Sequence, residues 1–290
     1  MKNVGVTYGG RSIDQELLSL KTPERLLKWR GNVEGSPDAN HYSSYIGVLL
    51  KYPCWKHMGF VDFSDVSPEL VTGLSVVEDY FHGDWWTEED VRRVERESPD
   101  RLRLGQWNTI EATIRVNAQR MDRSKPDCRF HWHDELRAGI IFGAMLEKWD
   151  KVAHICSAVD AYTSPEYSAG TVVEEYYKWY LCIAGRLSNE WTDGMDQLMS
   201  GVRKCRQKRL RECVTAWEAA VAADQAAFNK TFPITIKSYV KKVDDPSKFE
   251  WVALDETVIG LIANKNGLSL PEMSEELKAP VMTRESLGLT

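Results

Sequence analysis

The chain has 290 residues, of which 43% are hydrophobic, and its formal net charge at pH 7 is −6. This hydrophobic content predicts a folded protein with a buried core, in one large or two modest domains. The negative charge argues against a general binder of phosphate backbones and is compatible with a basic partner.

The sequence predicts a cytosolic protein. The segment from Met1 to Arg11 lacks the apolar core of a signal peptide, and no run of about 18 apolar residues is present to span a membrane. The six cysteines form no C-x-x-C pair, so they are expected to be reduced and buried thiols.

Hydrophobic periodicity predicts helices along the front of the chain, after a loose or short extended segment over residues 1–12. An apolar helix face begins at Tyr42 and is predicted to end at Pro53. A cap residue followed by proline, Ser67-Pro68, predicts a helix from Leu70 to Phe81 that stops at Gly83. Further helices are predicted over residues 13–31, 87–96 and 107–121.

The segment Ser124-Lys125-Pro126-Asp127 is the predicted boundary between two portions of the chain. Residues 1–126 form an N-terminal helical portion, and residues 127–290 form a helical-repeat portion with a C-terminal tail. The tail, from Glu272 onward, is polar and proline-spaced and is predicted to cross the surface in extended form.

The stretch from Leu136 to about Lys242 predicts consecutive helices joined by short polar turns. Each helix alone would leave an apolar stripe exposed, so the helices must stack on their neighbours. The predicted fold class is all-α, with antiparallel helical hairpins stacked as an irregular helical-repeat array. The helical runs are Leu136–Met145, a second run from Val152, Val172–Leu187, Val202–Phe228, and a last one that closes on Gly267.

An acidic and aromatic segment from Glu78 to Asp90 is the predicted partner-binding surface. It places six carboxylates and four aromatic rings around the turn at Gly83, a composition suited to a basic, partly apolar protein surface. The alternative interpretation is a charged loop followed by a helix whose first turn favours acids. The residues predicted to contact the partner are Glu78, Asp79, Asp84, Trp85, Trp86, Glu88 and Glu89.

Two other clusters could carry chemistry. The segment His131-Trp132-His133-Asp134-Glu135 could chelate a metal from an extended backbone, but it lacks the H-E-x-x-H spacing, and Asp134 as a helix N-cap explains the carboxylates without a metal. The basic run Arg203–Arg211 could contact phosphates, yet no glycine-rich loop accompanies it, which favours a solvated helix face with salt bridges. No metal or cofactor is predicted.

The chain contains no G-x-S-x-G, phosphate loop or G-x-G-x-x-G motif, which favours a non-enzymatic protein. A metal-dependent enzyme centred on His131, His133, Asp134 and Glu135 is one alternative. A helical-repeat adaptor or regulator that binds a peptide segment of a partner protein is the other.

Two segments resemble a known family. The segment Trp251-Val252-Ala253-Leu254-Asp255-Glu256-Thr257-Val258, continuing to Gly267-Leu268-Ser269-Leu270-Pro271, resembles the closing motif of the bacterial immunity protein 49 family. The region from Ala138 to Cys156, with Trp149-Asp150 at its turn, is similar to the middle of those proteins. Together these segments cover about the last half of the chain, and the front half carries no such match.

The resemblance implies an all-helical protein that binds and blocks a cognate polymorphic toxin delivered between bacteria. Members of this family act by occlusion, so the resemblance implies no catalytic residues. The expected function is therefore that of a cytosolic immunity protein whose partner is a toxin effector domain, basic in charge, with no nucleic-acid or membrane partner.

Overall fold

The computed structural model describes seven ranges of the chain. They are residues 7–8, 11–12, 39–59, 66–82, 132–159, 172–241 and 252–289. Four residues near the start form a minimal antiparallel hairpin, in which β1 (Thr7–Tyr8) pairs with β2 (Arg11–Ser12). This hairpin agrees with the short extended segment expected over residues 1–12.

Helices account for nearly all the regular structure in the described ranges, so the all-α prediction is confirmed. The described ranges contain ten α-helices, α1 (Ala39–His57), α2 (Ser67–His82), α3 (Trp132–Met145), α4 (Trp149–Ser157), α5 (Val172–Ser188), α6 (Asp193–Arg203), α7 (Lys208–Val221), α8 (Gln225–Val240), α9 (Leu254–Lys265) and α10 (Glu275–Lys278). A 3-10 helix, Glu285–Leu287, follows them.

Helix α9 lies at the centre of the core. Every residue from Leu254 to Ala263 is buried, which is typical of a helix enclosed on all sides. It contacts α3, α7 and α8. Because α3 and α9 are far apart in sequence, these contacts differ from those of a regular solenoid, in which each repeat contacts only its neighbours. The regular stacking of hairpins is therefore not confirmed.

Consecutive helices nevertheless pack in pairs, α1 with α2, α3 with α4, α5 with α6, and α7 with α8. The turn between α3 and α4 reverses the chain through Glu147, which has a positive φ of 58°. The Lys148 N–H there donates to the Gly143 carbonyl at 2.7 Å, which satisfies the end of α3. A turn therefore separates the two helical runs predicted as Leu136–Met145 and from Val152, although α4 begins three residues before Val152.

Three predicted boundaries are wrong. Helix α1 continues past Pro53 to His57, because Cys54 and Trp55 beyond the proline are buried and their packing outweighs one missing backbone hydrogen bond. The tail from Glu272 is not simply extended, since it contains α10 and the 3-10 helix. Its residues Val281, Met282 and Leu287 are buried.

The third error is the single helix predicted from Val202 to Phe228. That run is divided among α6, α7 and α8. Ala223 adopts a left-handed φ of 53°, and the Asp224 carboxylate caps α8 by accepting from the Ala227 N–H at 2.9 Å. Neither break contains glycine or proline, so the apolar period continues across both.

The predicted boundary at residues 124–127 lies outside the described residues. The helices α1 and α2, which precede it, share one hydrophobic core with α3, which follows it. None of the helices in the described ranges has the length and apolarity needed to cross a bilayer.

Candidate functional site

Glu78 and Asp79 are the two predicted contact residues that the structure describes. Both lie near the end of α2, where Asp79 is exposed and Glu78 is partly exposed. The adjacent rings of Tyr80 and Phe81 are 0% and 7% exposed. Two of the four aromatic rings of this segment are thus core residues and are not available to a partner. The remaining predicted contacts, Asp84, Trp85, Trp86, Glu88 and Glu89, lie outside the described residues.

Helix α4 lies beside this acidic end of α2. The Lys151 ammonium donates to Glu78 Oε2 at 2.6 Å. One turn further along, the His82 and His154 rings stack with their centroids 3.8 Å apart and their planes within 3° of each other. The described part of the predicted contact surface, Glu78 and Asp79 at the end of α2, therefore lies beside α4.

Electrostatics distinguishes the two carboxylates. The pKa of Asp79 is raised, first by partial burial and then by the neighbouring charge of Glu78. The hydrogen bond from Lys151 to Glu78 raises the pKa of that lysine, so Lys151 offsets the charge of Glu78. Because this ion pair is at the surface, it contributes little to stability.

Two of the possible metal ligands lie close together, since His133 Nε2 is 3.5 Å from Asp134 Oδ1. The helix α3 begins at Trp132, so Asp134 lies inside its first turn and the prediction that it is the N-cap is wrong. Asp134 Oδ1 instead accepts from Arg137 Nη2 at 2.6 Å. The His133 ring packs edge-on against Tyr177, with centroids 4.8 Å apart. Because the Arg137 guanidinium already lies 2.6 Å from Asp134, its positive charge opposes the binding of a metal cation beside that carboxylate.

His131 lies outside the described residues. Among those that are described, no three histidine, cysteine, aspartate or glutamate side chains are grouped to hold a metal ion.

A polar cluster that the sequence reasoning missed lies inside the core. Two adjacent carboxylates of α9 meet one arginine from α3 and another from α7, together with two tyrosines of α5. We call this cluster the buried ion network. Its members are Arg137, Arg209, Asp255, Glu256, Tyr176 and Tyr180.

Asp255 is held by three donors from three helices. Its Oδ1 accepts from Tyr180 Oη at 2.7 Å and from Arg137 Nη1 at 3.1 Å. Its Oδ2 accepts from Arg209 Nη2 at 3.1 Å. Burial of this carboxylate opposes ionisation, but the two guanidinium groups outweigh that effect and lower the pKa of Asp255 to about 2.

Glu256 is fully buried and pairs with Arg209 in a fork. Arg209 Nη2 lies 2.8 Å from Glu256 Oε2, and Arg209 Nε lies 3.2 Å from Oε1. Burial, with the charge of Asp255 beside it, raises the pKa of Glu256. The remaining donor, Arg209 Nη1, reaches Tyr176 Oη at 2.8 Å, and the guanidinium stacks over the Tyr239 ring at 4.9 Å.

These contacts occupy the acceptor positions of the carboxylates and join α3, α5, α7 and α9. Burying a charge away from water is costly unless an opposite charge and hydrogen-bond donors are well placed around it. Both carboxylates of the network have such partners. The arrangement is suited to fixing four helices relative to one another. It leaves no exposed acid or base in the network for proton transfer to a ligand.

The sequence did hold a signal for this network. Asp255-Glu256 interrupts a mostly apolar run from Val252 to Ala263, and carboxylates buried in such a run require cationic partners. The solvated face predicted for Arg203–Arg211 is wrong for Arg209, whose side chain is 13% exposed. It holds for Arg203, which donates from Nε to Glu218 at 2.7 Å.

Comparisons of this chain with protein-family models, with curated proteins and with solved structures give no match. The resemblance to the immunity protein 49 family therefore rests on the two sequence segments alone. Those segments are in contact in the fold, because α9 packs against α3. Arg137, next to the first segment, is 3.1 Å from Asp255 in the second.

Proposed function

We propose that this chain is an immunity protein, which binds a cognate bacterial polymorphic toxin and neutralises it by covering the toxin's active surface. The observation that carries this proposal is that both segments of resemblance belong to one packed unit. The first comprises most of α3 and α4, the second contains α9, and α3 contacts both of the others. Similarity in distant segments is more informative when they share a core, because residues in contact constrain each other's identity.

Inhibition by coverage requires a surface that docks with little rearrangement. The buried ion network supports such a surface, because it ties α3 to α5, α7 and α9 through charged hydrogen bonds. Helices α2 and α4 pack on α3, and α2 presents Asp79 and, in part, Glu78 to solvent. Exposed carboxylates there would attract a basic toxin domain and raise its association rate. This mode of action needs no cofactor, and it places the protein in the cytosol that it protects.

Co-expression with the product of the adjacent upstream gene tests the proposal. The expected result is rescue of growth together with a stable complex of the two purified proteins. A toxic upstream product that neither binds this chain nor loses toxicity in its presence would contradict the proposal.

The contact surface is tested separately by association rates of the purified pair at low and high salt. Asp79→Lys reverses an exposed charge and should slow capture of a basic toxin by about tenfold at low salt. Lys151→Gln is the matched control of opposite sign, because it removes the cation that offsets Glu78 and should accelerate capture. Equal rates for both variants and the wild type would remove this surface from the proposal.

The alternative function, an adaptor that binds a peptide segment, differs in its ligand. An adaptor binds an isolated extended or helical peptide, whereas an immunity protein needs a folded toxin domain.

A further inference from the structure

A groove of about 850 Å³ runs along the C-terminal segment of the chain. Its walls are formed by residues between 270 and 286 and by His57 at the end of α1. Its volume is in the upper part of the range that holds drug-sized molecules. A few residues of an extended chain would fit there, and a folded domain would not.

The lining combines apolar surface with carboxylates. Leu270, Met273 and Val281 supply buried or partly buried apolar surface, while Glu272 and Glu285 are exposed. A third carboxylate and the lysine that lines the groove offset each other, because Lys278 Nζ is 3.1 Å from Glu275 Oε1. The net charge of the lining is therefore negative, and Glu272 and Glu285 carry it.

His57 holds one wall of the groove in place. Its Nε2 lies 2.7 Å from the Ala279 carbonyl, which can only accept, so Nε2 carries the proton. In the neutral ring, Nδ1 is an acceptor 2.7 Å from Ser286 Oγ, and it competes with the Thr283 carbonyl at 2.9 Å for the single hydroxyl proton of Ser286. Burial lowers the pKa of His57, in keeping with this neutral form.

The wall is further fixed by a reciprocal pair of hydrogen bonds. The Thr283 N–H donates to Ser286 Oγ, and the Ser286 N–H donates to Thr283 Oγ1, each at 3.0 Å. The groove is thus preformed, so ordering it on binding costs little of the free energy of association. Because both ring nitrogens of His57 already have hydrogen-bond partners, a ligand in the groove would be bound by the carboxylates and the apolar lining.

We infer that this groove binds an extended, cationic segment of another protein. Alternate side chains of an extended segment point in opposite directions, so lysine or arginine at alternate positions could face Glu272 and Glu285. The apolar side chains between them would then contact Leu270, Met273 and Val281. This inference does not require the partner to be a toxin, and it holds for either function considered above.

A labelled peptide of alternating leucine and lysine provides a direct probe, with binding followed by fluorescence anisotropy on the full chain. Two further peptides serve as controls, one of alternating leucine and glutamate and one of alternating serine and lysine. The leucine–lysine peptide should bind, the acidic peptide should not, and the serine–lysine peptide should bind about tenfold more weakly because it lacks apolar contacts.

Variants of the protein test the site. The double variant Glu272→Gln/Glu285→Gln should weaken binding of the leucine–lysine peptide by about tenfold, and Lys278→Gln should strengthen it by releasing Glu275. Glu276→Gln is the matched control, because Glu276 is exposed on α10 but does not line the groove. All these side chains are largely exposed, so the variants are expected to fold, and their thermal unfolding should match that of the wild type.

The inference is overturned if the leucine–lysine peptide does not bind, or if the double variant binds it as tightly as Glu276→Gln does. Equal binding of the serine–lysine peptide would also overturn it, because a site for cations alone does not use the apolar lining. Peptide binding by a chain that does not rescue cells from a toxin would count against the proposed function and support the proposed groove. Rescue without peptide binding would support the proposed function and overturn the proposed groove.

Discussion

Replacing Asp255 with asparagine should destabilise the protein while preserving the shape of the side chain. Asp255 is 3% exposed and faces the guanidinium groups of both Arg137 and Arg209. The asparagine amide cannot supply the negative charge that these groups share. Removing one partner of a buried ion pair is costly, because the other charge stays away from water.

The size of the effect follows from the pKa of Asp255. The ordinary value of 3.8 falls to about 2 in the folded protein, which corresponds to about 2 kcal/mol of stability at neutral pH. Each arginine keeps a second carboxylate, since Arg137 is 2.6 Å from Asp134 and Arg209 is 2.8 Å from Glu256. We therefore expect Asp255→Asn to lower the free energy of unfolding by about 2–3 kcal/mol, which is near the lower end of the cost of breaking a buried ion pair. That is a large share of the ~5–15 kcal/mol typical of a folded domain.

The loss should depend on pH in a definite direction. A carboxylate whose folded pKa is lowered contributes stability that is fully present above its ordinary pKa. For Asp255 this contribution declines as the pH falls from about 4 toward 2. The wild type and Asp255→Asn should therefore differ by a constant amount near neutral pH, and the difference should shrink in acid.

Urea unfolding followed by far-UV circular dichroism measures the free energy of unfolding of both proteins across this pH range. Asp193→Asn is a control, because Asp193 is exposed at the start of α6 and its replacement should cost less than about 1 kcal/mol. A neutral-pH difference for Asp255→Asn below about 0.5 kcal/mol, the usual range for surface substitutions, would refute the reasoning. So would a difference that does not change in acid.

Two further predictions concern packing and the C-terminal segment. A Cβ at Gly143 would lie 2.3 Å from Val152 Cγ2, where α3 meets α4, so Gly143→Ala should cost about 1–3 kcal/mol and lower the Tm. Gly201→Ala, with no atom within 4 Å of its Cβ, should instead add about 0.5–1 kcal/mol; a lower Tm for Gly201→Ala, or an unchanged one for Gly143→Ala, would contradict this. Burial lowers the pKa of His57 from 6.5, so its stabilisation is complete above that pH and declines as the pH falls below it. The protection factors of residues 275–289, which correct for the intrinsic slowing of hydrogen exchange in acid, should therefore fall below that pH. His57→Gln should abolish this fall, and a fall that persists in the variant would assign it to another group.

The candidate contact surface was only partly accessible to sequence reasoning. The sequence identified Glu78 and Asp79 as accessible carboxylates near the end of a helix, and in the structure Asp79 is exposed and Glu78 partly exposed. Composition could not show that Tyr80 and Phe81 face the core, because the choice of helix face depends on which neighbours α2 meets. Nor could it show that Lys151 offsets Glu78, since these residues approach only when α4 packs against α2.

The existence of the helices was determined by the sequence itself. The cap and proline at Ser67-Pro68 and the apolar spacing within Val172–Leu187 act between residues a few positions apart, so α2 and α5 could be predicted with nearly correct ends. The same local signals failed at Ala223, where a left-handed residue without glycine ends α7. There the tight contact of α7 with α8 decides the turn.

The role of Arg209 was decided only by tertiary structure. Within its own segment it is one of several basic residues, and a solvated position is the natural expectation for it. In the fold it lies against Asp255 and Glu256, which are more than forty positions away along the chain. Local periodicity specifies which residues face inward, but the partner of a buried charge is set by the packing of distant helices, and that information is not contained in any single segment.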